Sequence, residues 1–140
     1  MSVFAGIKLP EVLLETSSKY NDSIKVIKTN DVLKLSVNNF VQSYSKNSKS
    51  ARRLYWGQAV EKIKENTADQ EVENILVLGL GGGTMQHYLR EAFPEAHIVS
   101  VEIDEVICNT AREFFDLDSI DNHRVIIADA LRVVIEPEEY

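Results

Sequence analysis

Cys108 is the sole cysteine in the sequence, so no internal disulfide can form. A lone thiol fits a reducing compartment. No apolar run approaches the ~18 residues that a membrane span needs. The N-terminus carries Lys8 and a short apolar patch, without a charged region leading into an apolar core, so no signal peptide is expected. These absences predict a cytoplasmic protein with no membrane partner. Basic charge is also scarce: 15 Lys and Arg face 22 Asp and Glu, a net charge of −7. That balance argues against general nucleic-acid binding, which needs a surplus of cations to meet the phosphates. His87, His97 and His123 are too scattered for a metal set, and each is expected to pack at a surface or strand end. There is no internal repeat and no low-complexity tract.

What is present is a normal apolar fraction, 44%, in 140 residues, enough for one ordinary domain or two small ones. The most informative stretch runs from Ile75 to Asp104. Ile75-Leu76-Val77-Leu78 is a short apolar run that meets clustered glycines at once, as a buried parallel strand entering a tight turn does. Glycine suits such a turn because the backbone must visit φ > 0 and come close to a ligand. A helix follows, with Met85, Tyr88, Leu89 and Ala92 at i, i+3, i+4 and i+7, closed by Phe93-Pro94. Its free N–H groups point back at the turn and suit a polar or anionic group. The second strand, about His97 to Glu102, ends in a carboxylate placed to hold a ribose diol.

Upstream, Ile24-Lys25-Val26 and Leu33-Lys34-Leu35-Ser36-Val37 alternate apolar and polar, as half-buried strands do. Asn30-Asp31 and Asn38-Asn39 are turn residues, and Phe40 to Tyr44 makes a third strand. Val12-Leu13-Leu14 can begin another. This is a small β-meander. Lys46 to Ser50 reads as a solvated linker, and Tyr55, Trp56, Ala59, Val60 and Ile63 fall on one helical stripe ending near Asn66. Downstream, Asp104 can cap a helix whose buried face is Ile107, Ala111 and Phe114. Arg124 to Ala128 is a third strand ending at Asp129, and Leu131, Val134 and Ile135 suggest a final helix stopped by Pro137. The predicted division is a β-domain over 1–50, a linking helix over 51–70 and a partial nucleotide-binding domain over 71–140.

The dinucleotide fingerprint needs glycine at its sixth place for close helix–strand packing, and that place holds Thr84. The pattern is instead Gly79-x-Gly81-x-Gly83. Asp129 lies at the same rim of the sheet as Gly81 and Glu102. Its carboxylate can accept from an adenine amino group, or cap the helix that follows, or do both.

Gly79 to Gly83, Val101-Glu102-Ile103-Asp104 and Ala128-Asp129-Ala130 resemble the cofactor motifs of the class I S-adenosylmethionine-dependent transferases. Within that superfamily the chain is similar to the N-terminal part of the spermidine synthases (polyamine aminopropyltransferases), which act in polyamine biosynthesis. Ser18 to Asp22 and Phe40 to Ser43 resemble segments of that family's N-terminal β-domain. The resemblance implies an α/β fold: a β-meander, then the first half of a Rossmann-like sheet. It implies S-adenosylmethionine or its decarboxylated form as cofactor. Glu102 would hold the ribose hydroxyls, and Asp129 with its neighbour Ala130 the adenine. Gly79, Gly81 and Gly83 would let the loop approach the methionine-derived tail, and Gln42 would reach in from the meander.

The sequence departs from that pattern at three places. The family's loop aspartate, which anchors the cofactor amine, corresponds to Gly82, and the family's usual histidine is missing around Tyr55. The 70 residues from Glu71 to Tyr140 hold three strand–helix units, where the family fold has seven strands. The family's catalytic aspartate follows the fourth strand, so no catalytic residue is assigned. The expected function is therefore aminopropyl or related group transfer to a small molecule by the chain or by a larger enzyme that contains it. Methyl transfer, or a non-catalytic nucleotide-binding or assembly subunit, are the alternatives. With strand order 3-2-1, Ile75 to Gly79 should sit at an open sheet edge and favour a homo-oligomer or a missing C-terminal part.

Overall fold

A computed structural model describes residue 6 and residues 8–140. The expectation that the N-terminus lacks a signal peptide falls partly outside the described residues. Four antiparallel strands, β1 (Glu11–Thr16), β2 (Ile24–Thr29), β3 (Val32–Val37) and β4 (Phe40–Tyr44), form a sheet in sequential order. The meander thus has four strands where three were clear from the alternation. β1 joins through pairs from Glu11↔Lys28 to Thr16↔Ile24, with a register shift between Val12 and Leu14. Asn38 and Asn39 both have positive φ, 49° and 69°, which a two-residue hairpin turn requires and asparagine tolerates.

Helices α1 (Lys49–Arg53) and α2 (Tyr55–Asn66) follow, broken at Leu54. A Cβ on Gly57 would lie 1.7 Å from the Arg52 carbonyl oxygen, so glycine is what lets the two helices meet this closely. The break corrects the expected stripe. Val60 is buried, whereas Tyr55 is 70% exposed and Ile63 39%.

The second sheet is parallel, in the order β5 (Asn74–Leu78), β6 (His97–Glu102), β7 (His123–Ile127). Helix α3 (Thr84–Ala92) joins β5 to β6, α4 (Glu105–Phe114) joins β6 to β7, and α5 (Ala130–Ile135) ends the series. Central β6 is buried on the face of Ile98 and Ser100 and partly on the other, where Val101 is buried and Val99 half-buried. β5 lies at the edge, as expected. Its Ile75 and Val77 pack with Tyr88, Leu89 and Ile98, while the alternate residues Leu76 and Leu78 are each 53% exposed. α5 corrects another expectation: Val133 is its buried residue, and Leu131, Val134 and Ile135 are exposed. Those three share an apolar helical stripe, but nothing among the described residues covers it.

The meander packs on the second half of the chain through α4. Ile24, Val26, Leu35 and Val37 of the meander pack with Ile107 of α4 and with Phe115. Asp104 adds a polar pin. One carboxylate oxygen caps α4 by accepting from the Val106 N–H at 3.0 Å; the other accepts from Ser18 Oγ and from Asn21 Nδ2. The carboxylate is 2% exposed, so these donors replace the water it gave up. Among the described residues, no helix is long and apolar enough to cross a membrane.

Candidate functional site

The glycine loop links β5 to α3, and the meander leans on it. Ser43 of β4, itself buried, accepts from the Gly82 N–H through Oγ at 2.7 Å. Thr84 at the start of α3 exchanges two bonds with the Tyr44 backbone, accepting from N–H at 2.9 Å and donating to the carbonyl at 2.7 Å. Thr84, which breaks the dinucleotide fingerprint, therefore adds a second tie between the loop and the meander. Gly79 (φ 101°) and Gly81 (φ 55°) lie where side-chain-bearing residues are strained, and a Cβ on Gly81 would come within 2.7 Å of Ser43 Oγ.

Between the sheets lies a cleft of about 840 Å³, lined among others by Gln42, Ser43, Gly79, Gly81, Gln86 and Glu102. Glu102 is the only charged side chain among its described lining residues. Its carboxylate is held at both oxygens: Oε2 accepts from the Leu80 N–H at 3.1 Å, and Oε1 from the Asp104 N–H at 3.0 Å. Each carboxylate oxygen can accept again, so the group is oriented by the backbone and still has capacity for a ligand's hydroxyls.

Four of the residues singled out from the sequence, Gln42, Gly79, Gly81 and Glu102, thus meet around one cleft. Gly83 stands behind the loop as the N-cap of α3 (φ 85°) and faces the Leu117 side chain rather than the cleft. Asp129 caps α5 by accepting from the Leu131 N–H at 2.8 Å. It lines a second cleft of similar size, which shares Tyr20 and Ile103 with the first. Ala130 begins α5 and lines neither.

Gly82, aligned with an aspartate in the resembled family, has no room for a side chain. A Cβ there would lie 2.9 Å from Ser43 Cβ and 3.1 Å from the Phe115 ring. Ser43 and Phe115 fill that space from two different elements.

The sequence reading missed the polar chain beneath the loop. Gln86 Nε2 donates to the Gly79 carbonyl at 3.2 Å and to Ser100 Oγ at 3.0 Å, and Ser100 Oγ lies 2.9 Å from His123 Nε2. The one sequence signal was polarity at places that should be apolar: a glutamine in the first turn of a buried helix and a serine inside a central strand. Burial, helped by nearby cations with Arg90 foremost, lowers the His123 pKa from 6.5 to about 4. His123 is thus held neutral in the fold, while the unfolded chain takes up a proton near pH 6.5. The stability it contributes is complete above pH 6.5 and is lost as pH falls toward about 4. The loss should be on the order of 1–2 kcal/mol once partial solvent contact is allowed for. Urea unfolding at pH 7 and pH 4.5 checks this. His123→Gln should flatten that part of the profile; an unchanged slope would remove His123 as its source.

No family model matches the chain. It is 35% identical over 85 residues to the polyamine aminopropyltransferase of Vibrio vulnificus, covering 61% of this chain and 28% of that one. It is 34% identical over 70 residues to the eEF1A lysine and N-terminal methyltransferase homolog of Drosophila pseudoobscura pseudoobscura, covering 50% of this chain and 10% of that one. The match therefore spans less than a third of the first relative and a tenth of the second. In structure, a probable spermidine synthase from Corynebacterium glutamicum superposes with a TM-score of 0.68 at 22% identity, over 92% of this chain and 47% of that one. The antiparallel meander followed by a parallel sheet matches the spermidine-synthase fold, and the chain is similar in sequence to part of the polyamine aminopropyltransferases and to part of the eEF1A methyltransferases.

Proposed function

We propose that this chain is the cofactor-binding portion of a group-transfer enzyme that uses an S-adenosylmethionine-type cofactor and a small-molecule acceptor, as a homo-oligomer or with further chain completing its sheet. The observation that carries the reading is Glu102: a carboxylate oriented by two backbone N–H groups at the rim of a parallel sheet, beside a glycine loop. In this reading Glu102 takes the ribose hydroxyls and Asp129, from the adjoining cleft that shares Tyr20 and Ile103, the adenine; Ala130, which lines neither cleft, only follows the cap of α5. Gly79 and Gly81 shape the loop for the tail, Gly83 supports it from behind at the start of α3, and Gln42 closes the cleft from the meander. The bound cofactor would supply an electrophilic carbon next to a sulfonium. The chain's own residues bind and orient it, and none is assigned to proton transfer.

Aminopropyl transfer and methyl transfer both fit the relatives. The shape around Gly82 favours the second, because it offers no acid to anchor a lone amine and no space to add one. Losing such a charge-assisted bond costs ~1.5–3 kcal/mol. Calorimetry with S-adenosylmethionine, its decarboxylated form, methylthioadenosine and NAD tests the reading. The adenosine thioether and sulfonium compounds should bind and NAD should not. The decarboxylated form should not gain a hundredfold, about 2.7 kcal/mol. Such a gain would mean that another acid supplies the anchor, and preference for NAD would overturn the assignment.

A further inference from the structure

Gln86 is fully buried in the first turn of α3, and one atom of its amide is left over. A backbone carbonyl can only accept, so the Gly79 contact requires Gln86 to present nitrogen there; a flipped amide would set oxygen against oxygen. Its second N–H goes to Ser100, which is itself buried. The Ser100 hydroxyl proton then needs an acceptor, and His123 Nε2 is the one within reach. Neutral His123 can fill that role. This chain of bonds crosses from β7 through β6 to α3 and locks the amide in one orientation. Gln86 Oε1 remains without a hydrogen-bond partner among the described residues. An unpaired buried carbonyl oxygen is costly, and natural folds rarely keep one without a use. Gln86 lines the cleft that holds Gly79 and Glu102.

We infer that Gln86 is a ligand-binding residue whose Oε1 accepts from a cationic amine on the part of the ligand that crosses the glycine loop. The inference rests on the proposed reading of the cleft. An ammonium donates only, which suits two neighbouring acceptors, Gln86 Oε1 and the remaining lone pair of the Gly79 carbonyl. No lysine or arginine is among the described residues lining the cleft, so nothing there repels a cation. Gly82 has no side chain to compete for it. Oε1 has almost no water-accessible surface. Met85 and Gln86 line the same cleft, so the amine needs only a local side-chain adjustment to reach Oε1.

The test compares S-adenosylhomocysteine, which carries the amine, with methylthioadenosine, which has the same nucleoside and thioether but no amine. Calorimetry on the wild-type chain, Gln86→Leu and Gln86→Met supplies the affinities. S-adenosylhomocysteine should weaken by about tenfold or more in both variants, the loss of one hydrogen bond to a charged group. Methylthioadenosine should stay within about twofold. Equal losses for both ligands would make Gln86 a support of the loop only and overturn the inference, as would no loss for either. Should neither variant fold, an analogue of S-adenosylhomocysteine lacking only the amine replaces them. It should bind the wild-type chain about tenfold more weakly than the parent, and equal binding overturns the inference. Methylthioadenosine binding to the wild-type chain tests the cleft separately: failure of all these nucleosides to bind would overturn the reading of the site itself.

Discussion

Glu102→Ala should weaken binding of every adenosine-containing cofactor by ~2–4 kcal/mol, the scale of two hydrogen bonds to a carboxylate. That is roughly 30- to 1,000-fold in dissociation constant. The carboxylate ends β6, and both its oxygens are already aligned by the N–H groups of Leu80 and Asp104. A ligand diol therefore meets an acceptor that has no freedom left to lose, and the ordering cost of binding is small. The substitution also strips two backbone donors of their acceptor. Both belong to buried residues, so the stability cost of leaving them unpaired should be about 1–3 kcal/mol. Calorimetry on a variant whose circular dichroism matches the parent separates these effects. Unchanged affinity in a folded Glu102→Ala would sink the assignment of the ribose site.

The 140-residue chain should self-associate at low micromolar concentration. β5 pairs with β6 on one side only, so its outer backbone groups form an unpaired row. Half-exposed Leu76 and Leu78 stand on that strand, and no lysine or proline interrupts Asn74–Leu78 to blunt pairing. The parallel sheet has three strands, and a small half-buried sheet gains little from burial by itself. Covering the edge with another strand and the leucines with apolar surface offsets both deficits. A disulfide cannot be the route, because the lone thiol of Cys108 is buried. Light scattering should report a mass above the 15.8 kDa of one chain. Leu76→Lys with Leu78→Lys should bring it down toward one chain, since an edge lysine resists pairing. A monodisperse monomer whose Leu76 to Leu78 amides exchange slowly would show that the edge is covered from within the chain, and the expectation would be wrong.

Much of the fold was legible because it is written in local patterns. Alternation set out β2 and β3, paired asparagines marked a hairpin turn that only positive-φ residues make easily, and clustered glycines after an apolar run located the β5–α3 loop. Asp104 was readable as a cap because capping needs only the residue and the helix after it. The edge position of β5 followed from strand order, and the structure bears it out.

What the sequence could not state is what fills space from elsewhere in the chain. The exposure of Tyr55 depends on a helix break made possible where Gly57 meets the Arg52 carbonyl. The exposed stripe of α5 reads as core until one sees that nothing among the described residues packs on it. The sequence noted a missing side chain at Gly82; only the tertiary structure shows Ser43 and Phe115 in the place it would need. The Gln86–Ser100–His123 chain joins one helix and two strands, and no local period encodes it. Glu102 itself shows the division. Its position at a strand end came from the sequence, but the two N–H groups that orient it belong to residues brought there by the turn and by the start of the next helix. Local chemistry chose the elements; long-range packing decided which of their polar atoms remain free to meet a ligand.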